Sequence, residues 1–228
     1  MSISNDIKKS IAKDWLNEFS QLSAFAQDKL YKIVGPIIIG IEVFKQPRAD
    51  DYRPYFVSYP LWKSDLKNCL EEPTIIQEMR NKKGLQFDIP YSKHSNYFLE
   101  VVECTKTQVL IPFDEDINIK SLFEMINNQF TYTLVRSSPV QQAELYVFKL
   151  FSALYVNNEF LIKDVLSQIQ KAGKNWQPNL FEWKFGAFDK WLQGLENKVN
   201  ERDDFLNQID VNKQDKKLQK LKSSELKV

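Results

Sequence analysis

Histidine, cysteine and glycine are scarce in this chain, and their scarcity removes most familiar chemistry. The single histidine, His94, lies in the polar run Tyr-Ser-Lys-His-Ser-Asn with no motif of an activated nucleophile beside it. One imidazole cannot build a His-rich metal centre, so only carboxylates are left as ligands, for Mg²⁺ or Mn²⁺. The two cysteines, Cys69 and Cys104, are too few for a structural zinc site and do not read as a secreted disulfide scaffold. Gly35 and Gly40 flank an apolar run but lack a following Gly-Lys-Ser/Thr, and Pro36 removes an amide that would bind phosphate.

Charge is equally uninformative in bulk. Lys and Arg number 31 against 30 Asp and Glu, a net charge of +1, so any electrostatic argument must rest on local clusters. Ile37 to Ile41 is the densest apolar run, far short of the roughly 18 residues of a spanning helix. The first residues, Met-Ser-Ile-Ser-Asn-Asp-Ile-Lys-Lys, do not read as a secretory leader. Together these absences predict a reduced, cytoplasmic protein with no membrane association, no resident metal and no cofactor.

What the chain does have is apolar and aromatic mass. Apolar residues make up 43% and aromatics 13%, enough to fill a core. The stretch from Ile33 to Trp62 organises the rest: two β-branched and aromatic runs flank a polar, Pro-containing loop, as paired antiparallel strands do. Ile37, Ile39, Ile41 and Val43 share one face of the first strand, and Ile38, Gly40, Glu42 and Phe44 share the other. An apolar residue lies on nearly every position, so Glu42 is expected to be buried and to need a partner.

Upstream, Ser4 or Asn5 caps a predicted helix with its apolar stripe on Ile7, Ile11, Trp15, Phe19 and Leu22. A short helical piece is expected over Ala24 to Tyr31. Downstream, Ser64 to Leu70 and Thr74 to Lys82 read as helices and Leu85 to Ile89 as a short strand. Tyr97 to Thr105 and Val109 to Phe113 read as a hairpin, then a helix capped by Asp116 or Asn118, then a strand over Gln129 to Val135. After Ser138-Pro139, a good helix start, the periodicity is helical: a helix through Tyr155, a second over Phe160 to Ala172, and a third from Asn179 to Val199. Heptad-like spacing continues through Leu221 and suggests an extended, protruding last helix. The expected class is α+β: an N-terminal helix and mainly antiparallel sheet domain at 1–136, then a helical bundle domain at 137–228.

Three functional readings follow. Missing catalytic motifs and abundant aromatics favour a non-catalytic protein-interaction subunit or inhibitor-type binder, of the kind found in bacterial accessory or defence complexes. Its contact residues are Arg48, Asp50, Asp51 and Arg53 in the charged loop, and Trp183, Phe185, Phe188 and Trp191 in the aromatic helix. The enzymatic alternative is a metal-dependent phosphodiester enzyme or nuclease using Glu42, Asp88, Glu103 and Lys106, in which acids hold the metal and the lysine helps activate water. Its weakness is spacing: residues three apart in a strand face opposite ways. A third reading is a nucleic-acid-binding accessory factor. Six lysines (Lys213, Lys216, Lys217, Lys220, Lys222, Lys227) oppose two acids near the C-terminal end.

Overall fold

The computed structural model describes residues 4–47 and 49–228. The first helix, α1 (Asn5–Glu18), starts where Ser4 accepts a hydrogen bond from the Asp6 amide, and buries Ile11 and Trp15. Four strands follow: β1 (Ser23–Ala26), β2 (Lys29–Val34), β3 (Ile37–Lys45) and β4 (Asp51–Pro60). The helical piece expected over Ala24 to Tyr31 is instead the β1–β2 hairpin. Its alternation of Ala24, Phe25 and Ala26 with later Leu30 and Tyr31 suits a pleat better than a helix. β2, β3 and β4 form the antiparallel meander that the sequence predicts, with Ile38 opposite Ile33 and Tyr59. The β2–β3 turn needs Gly35, whose φ is +51°, a conformation that L side chains rarely adopt. Gly40 in mid-strand is a close-approach position: a Cβ there would collide with the Leu30 carbonyl and the Tyr31 ring.

After the short helix α2 (Leu66–Cys69), residues expected to continue as helix form the strand β5 (Ile75–Glu78), antiparallel to β4. Pro73 and the β-branched pair Ile75-Ile76 explain why: the segment stacks Ile75 into the core beside Ser58, and a helix there would forfeit that ladder. Of the expected strand over Leu85 to Ile89, β6 (Ile89–Pro90) pairs with β4, and Gln86 makes an isolated bridge to Arg80.

The largest departure is α3 (His94–Gln108), which replaces the predicted hairpin. The apolar residues that suggested a strand, with His94, Phe98, Val101, Val102 and Thr105, also recur at four- and three-residue spacing. That face meets α1, where Trp15 packs edge-on against Phe98. Val109 to Phe113 is irregular chain that fills the same layer, with Phe113 against Phe19 and Phe56. The strand β7 (Ile117–Asn118) leads into α4 (Ile119–Gln129), capped by Asn118 as expected. The predicted strand over Gln129 to Val135 is a turn and the short helix α5 (Thr133–Arg136).

The helical part begins at Ser138-Pro139 with α6 (Pro139–Tyr155), then α7 (Glu159–Gly173), as read from the sequence. The long aromatic helix divides at Gly186 (φ +72°) into α8 (Pro178–Phe185) and α9 (Phe188–Asn200), and α10 (Arg202–Lys213) ends the periodic run. In place of a protruding helix, the chain after Lys213 turns back and buries Leu218, Leu221 and Leu226. Its strands β8 (Ser223–Ser224) and β9 (Leu226–Lys227) pair in parallel with β2 and β7. The sheet order is β1-β2-β3-β4-β5, with β6 on β4 and β8 on β2. Buried residues from Ile11 to Leu226 make one continuous cluster.

Candidate interaction face

The enzymatic constellation does not assemble. Glu42 is 1% exposed and accepts hydrogen bonds from the hydroxyls of Tyr31 and of Tyr59, the latter at 2.6 Å, with Lys29 Nζ 3.3 Å away. Burial, and then the neighbouring carboxylate, push both phenols above their ordinary pKa, so they stay protonated donors. Asp88 instead pairs with Arg53 at 2.7 Å. Glu103 and Lys106 lie on helix α3, not on a strand, and meet Lys82 and Glu18 respectively. Among the described residues, no three His, Cys, Asp or Glu side chains converge as a metal-ion site would require.

The charged loop keeps its ends occupied. Arg48 lies outside the described residues. The Asp50 carbonyl accepts the Tyr91 amide and the Asp51 carbonyl the Gln46 amide, while Arg53 bridges Asp88 and, at 3.7 Å, Glu78. The basic C-terminal stretch is ordered, not frayed. Lys213 packs over the Tyr155 ring and burial lowers its pKa, Lys222 donates to the Ser20 carbonyl, and Lys227 pairs with Asp116. Lys216, Lys217 and Lys220 are exposed.

Dividing the aromatic helix at Gly186 changes which rings can meet. Phe185 and Trp191, six residues apart and so out of phase on one helix, meet across the break, with Phe188, Phe181 and Trp176 completing the box. Trp183 alone points outward, 73% exposed, its indole N–H donating to the Leu180 carbonyl.

Trp183 borders a surface that the sequence alone did not reveal. A groove of about 840 Å³ runs along β5, walled by the end of α4, by α5 and by the start of α6. Two smaller cavities, of about 360 and 310 Å³, adjoin it and share Glu72 and Glu144 in their walls. The main groove lies within the roughly 300–1,000 Å³ usual for ligand sites. Five exposed apolar side chains line two of these cavities: Ile76, Tyr132 and Leu134 the main groove, and Leu180 and Trp183 the cavity of about 360 Å³. Leu134 is 76% exposed, and scattered surface leucines are ordinary, but five bordering one connected depression form a patch.

No protein family, curated protein or solved structure matches this chain. Function must therefore be argued from its own geometry, and the groove contains two further anomalies. Gln77 and Gln129 belong to its walls, and Gln77 Oε1 and Gln129 Nε2 are buried without a hydrogen-bond partner. The residues are 8% and 4% exposed, so water does not readily answer either atom. An orphaned buried amide ordinarily costs about 1–3 kcal/mol, so either glutamine would gain by turning toward a partner held in the groove.

Away from the groove, Trp15 Nε1 and Ser224 Oγ are also buried without a partner, whereas the buried lysines are satisfied within the fold. Lys149 reaches Asn127 and Gln168, both at 3.0 Å, above the Phe123 ring, and burial lowers its pKa. Lys32 donates to the Phe113 carbonyl at 2.8 Å. Both read as internal ties. Among the described residues, no helix is long and apolar enough to cross a membrane.

Proposed function

We propose that this chain is a non-catalytic interaction protein that captures a protein partner at the β5–α5–α8 face, as a subunit or inhibitor-type binder in a larger complex. The observation that carries the reading is the connected depression bordered by five exposed apolar side chains, next to the sheet's β5 edge. Trp and Tyr side chains such as Trp183 and Tyr132 are where interface energy concentrates. Two buried, free cysteines support work in a reducing compartment, hence the cytoplasm.

The test is affinity capture from the native host with the unaltered chain and with Leu134→Asp and Trp183→Ala. Both side chains are exposed, so both variants should fold with stability changed by less than about 0.5 kcal/mol. A partner retained by the parent and lost by the variants is the expected result. Capture unaffected by either change, or Mg²⁺-dependent cleavage abolished by Glu103→Ala, would sink the reading.

A further inference from the structure

The partner's chemistry is written in the backbone of β5. In an antiparallel ladder, successive residues alternate between directing their N–H and C=O groups at the paired strand and away from it. Met79 donates its amide to the Pro54 carbonyl at 3.3 Å, and the register sets Gln77 opposite Phe56 and Ile75 opposite Ser58. Residues 75, 77 and 79 therefore address β4. Ile76, Glu78 and Arg80 address the groove, whose walls include side chains from both faces of this strand.

At Arg80 the protein answers its own edge. The Arg80 amide donates to Gln108 Oε1 at 3.0 Å, and Gln108 Nε2 donates to the Arg80 carbonyl at 2.6 Å. One side-chain amide thus makes the two hydrogen bonds that a residue of a neighbouring strand would make. At Ile76 and Glu78, no hydrogen bond among the described residues performs this service. In the walls beside them, Gln77 Oε1 and Gln129 Nε2 are buried without a partner, and a turn of either side chain would bring an acceptor or a donor to the groove. An acceptor and a donor together are the complement of a peptide group, which offers one N–H and one C=O.

We propose that the groove receives an extended peptide segment of a partner protein, which pairs as a further strand with Ile76 and Glu78 and ends against Gln108. The inference deepens the interaction reading above and rests on it. Strand addition of this kind takes affinity from main-chain hydrogen bonds and selectivity from alternate side chains. Here an apolar side chain of the peptide would lie against Ile76 and Leu134. A basic one would suit Glu72, which has no ion pair among the described residues and stands where the three cavities meet. Outward groups on residues two apart repeat at roughly 6.8 Å, the spacing on which an incoming strand presents its own.

The probe is a library of short random peptides, displayed on phage and selected against the full chain. The tightest binder is then synthesised plain and with N-methyl groups on either alternate set of residues. Three results are expected. One methylated set loses roughly tenfold or more in affinity while the other binds nearly as well, because only one set donates to β5. Amide exchange at Ile76 and Glu78 slows when the plain peptide binds. Gln129→Leu weakens the peptide by a similar factor, yet unfolds at or above the parent's temperature, since it removes an orphaned donor.

A binder that leaves the Ile76 and Glu78 amides unprotected, or that ignores both methylation patterns, overturns the strand-pairing inference and leaves the broader interaction reading standing. Protection of those amides by concentration-dependent self-association, without peptide, gives the edge to a second copy of the chain and also overturns it. A library that yields no binder counts against both.

Discussion

Removing the Glu42 carboxylate should be among the most damaging single changes in this protein. Glu42→Ala leaves the hydroxyls of Tyr31 and Tyr59, 0% and 2% exposed, facing the space the carboxylate held. Each unsatisfied buried donor costs about 1–3 kcal/mol, and the one lost methylene adds about 0.8 kcal/mol. The two rings are 5.8 Å apart, near enough for one hydroxyl to turn to the other, which trims the sum. Lys29, one-third exposed, rehydrates at little cost. The expected loss is about 3–5 kcal/mol, a large share of a typical folding stability of about 5–15 kcal/mol. Urea unfolding followed by tryptophan fluorescence should show this as a lower midpoint with an unchanged slope. Tyr31→Phe and Tyr59→Phe should each cost about 1.5–3 kcal/mol and combine non-additively, because they share one acceptor oxygen. Glu42→Ala costing less than about 1 kcal/mol would refute the reasoning, since the carboxylate would then not be the centre that holds those phenols.

Other expectations are more local. Burial holds the His94 pKa down against the opposing pull of Asp14, 3.2 Å from its Nε2. The folded state therefore takes up that proton less readily than the unfolded chain. The associated stability is intact above the unfolded value of about 6.5 and is lost as pH falls through the lower folded value. Unfolding midpoints measured between about pH 7.5 and 5.5 should drop for the parent and drop less for His94→Gln; parallel profiles would contradict this. Two glycines should respond in opposite directions. Gly40→Ala drives a methyl into the Leu30 carbonyl and should cost about 1–3 kcal/mol or more, whereas Gly194→Ala, in α9 with open space around it, should stabilise by up to about 1 kcal/mol in thermal melts.

Local signals in the sequence carried far where one physical cause dominated. Ser4, Asn118 and Ser138 each cap the helix predicted to follow them, because a cap is decided by a few neighbouring atoms. The meander through Ile37 and Tyr59 was legible for a similar reason: strands apolar on both faces have few other places to go. The strand expected over Tyr97 to Thr105 is helix because its apolar positions satisfy both the strand period and the helix period, and only packing on Trp15 decides between them. Burial of Glu42 was expected, but its partners come from β2 and β4, which no spacing along β3 could name. The groove was invisible altogether. Its walls come from residues near 76, 108, 129, 134 and 144, and an unpartnered amide has no meaning until those segments meet. The nearest clue was Pro73-Thr-Ile-Ile-Gln-Glu78, which reads equally well as a short edge strand.

The return of the chain after Lys213 bears on how the molecule reaches this state. Ser223 and Ser224 pair with Ile33 and Val34 across roughly 190 residues of sequence, and Leu226 and Tyr155 both close on Gly35. Contacts so distant are slow to form, because the intervening loop must be closed before any pairing rewards it. The β2–β3–β4 meander has neighbours at hand and can form early. The β8 segment is then expected to act as a latch that shuts late, leaving the flank of β2 at Ile33 and Val34 open to other chains until it does. Synthesis rate and crowding would therefore act on this protein chiefly through that interval, when aggregation competes with closure.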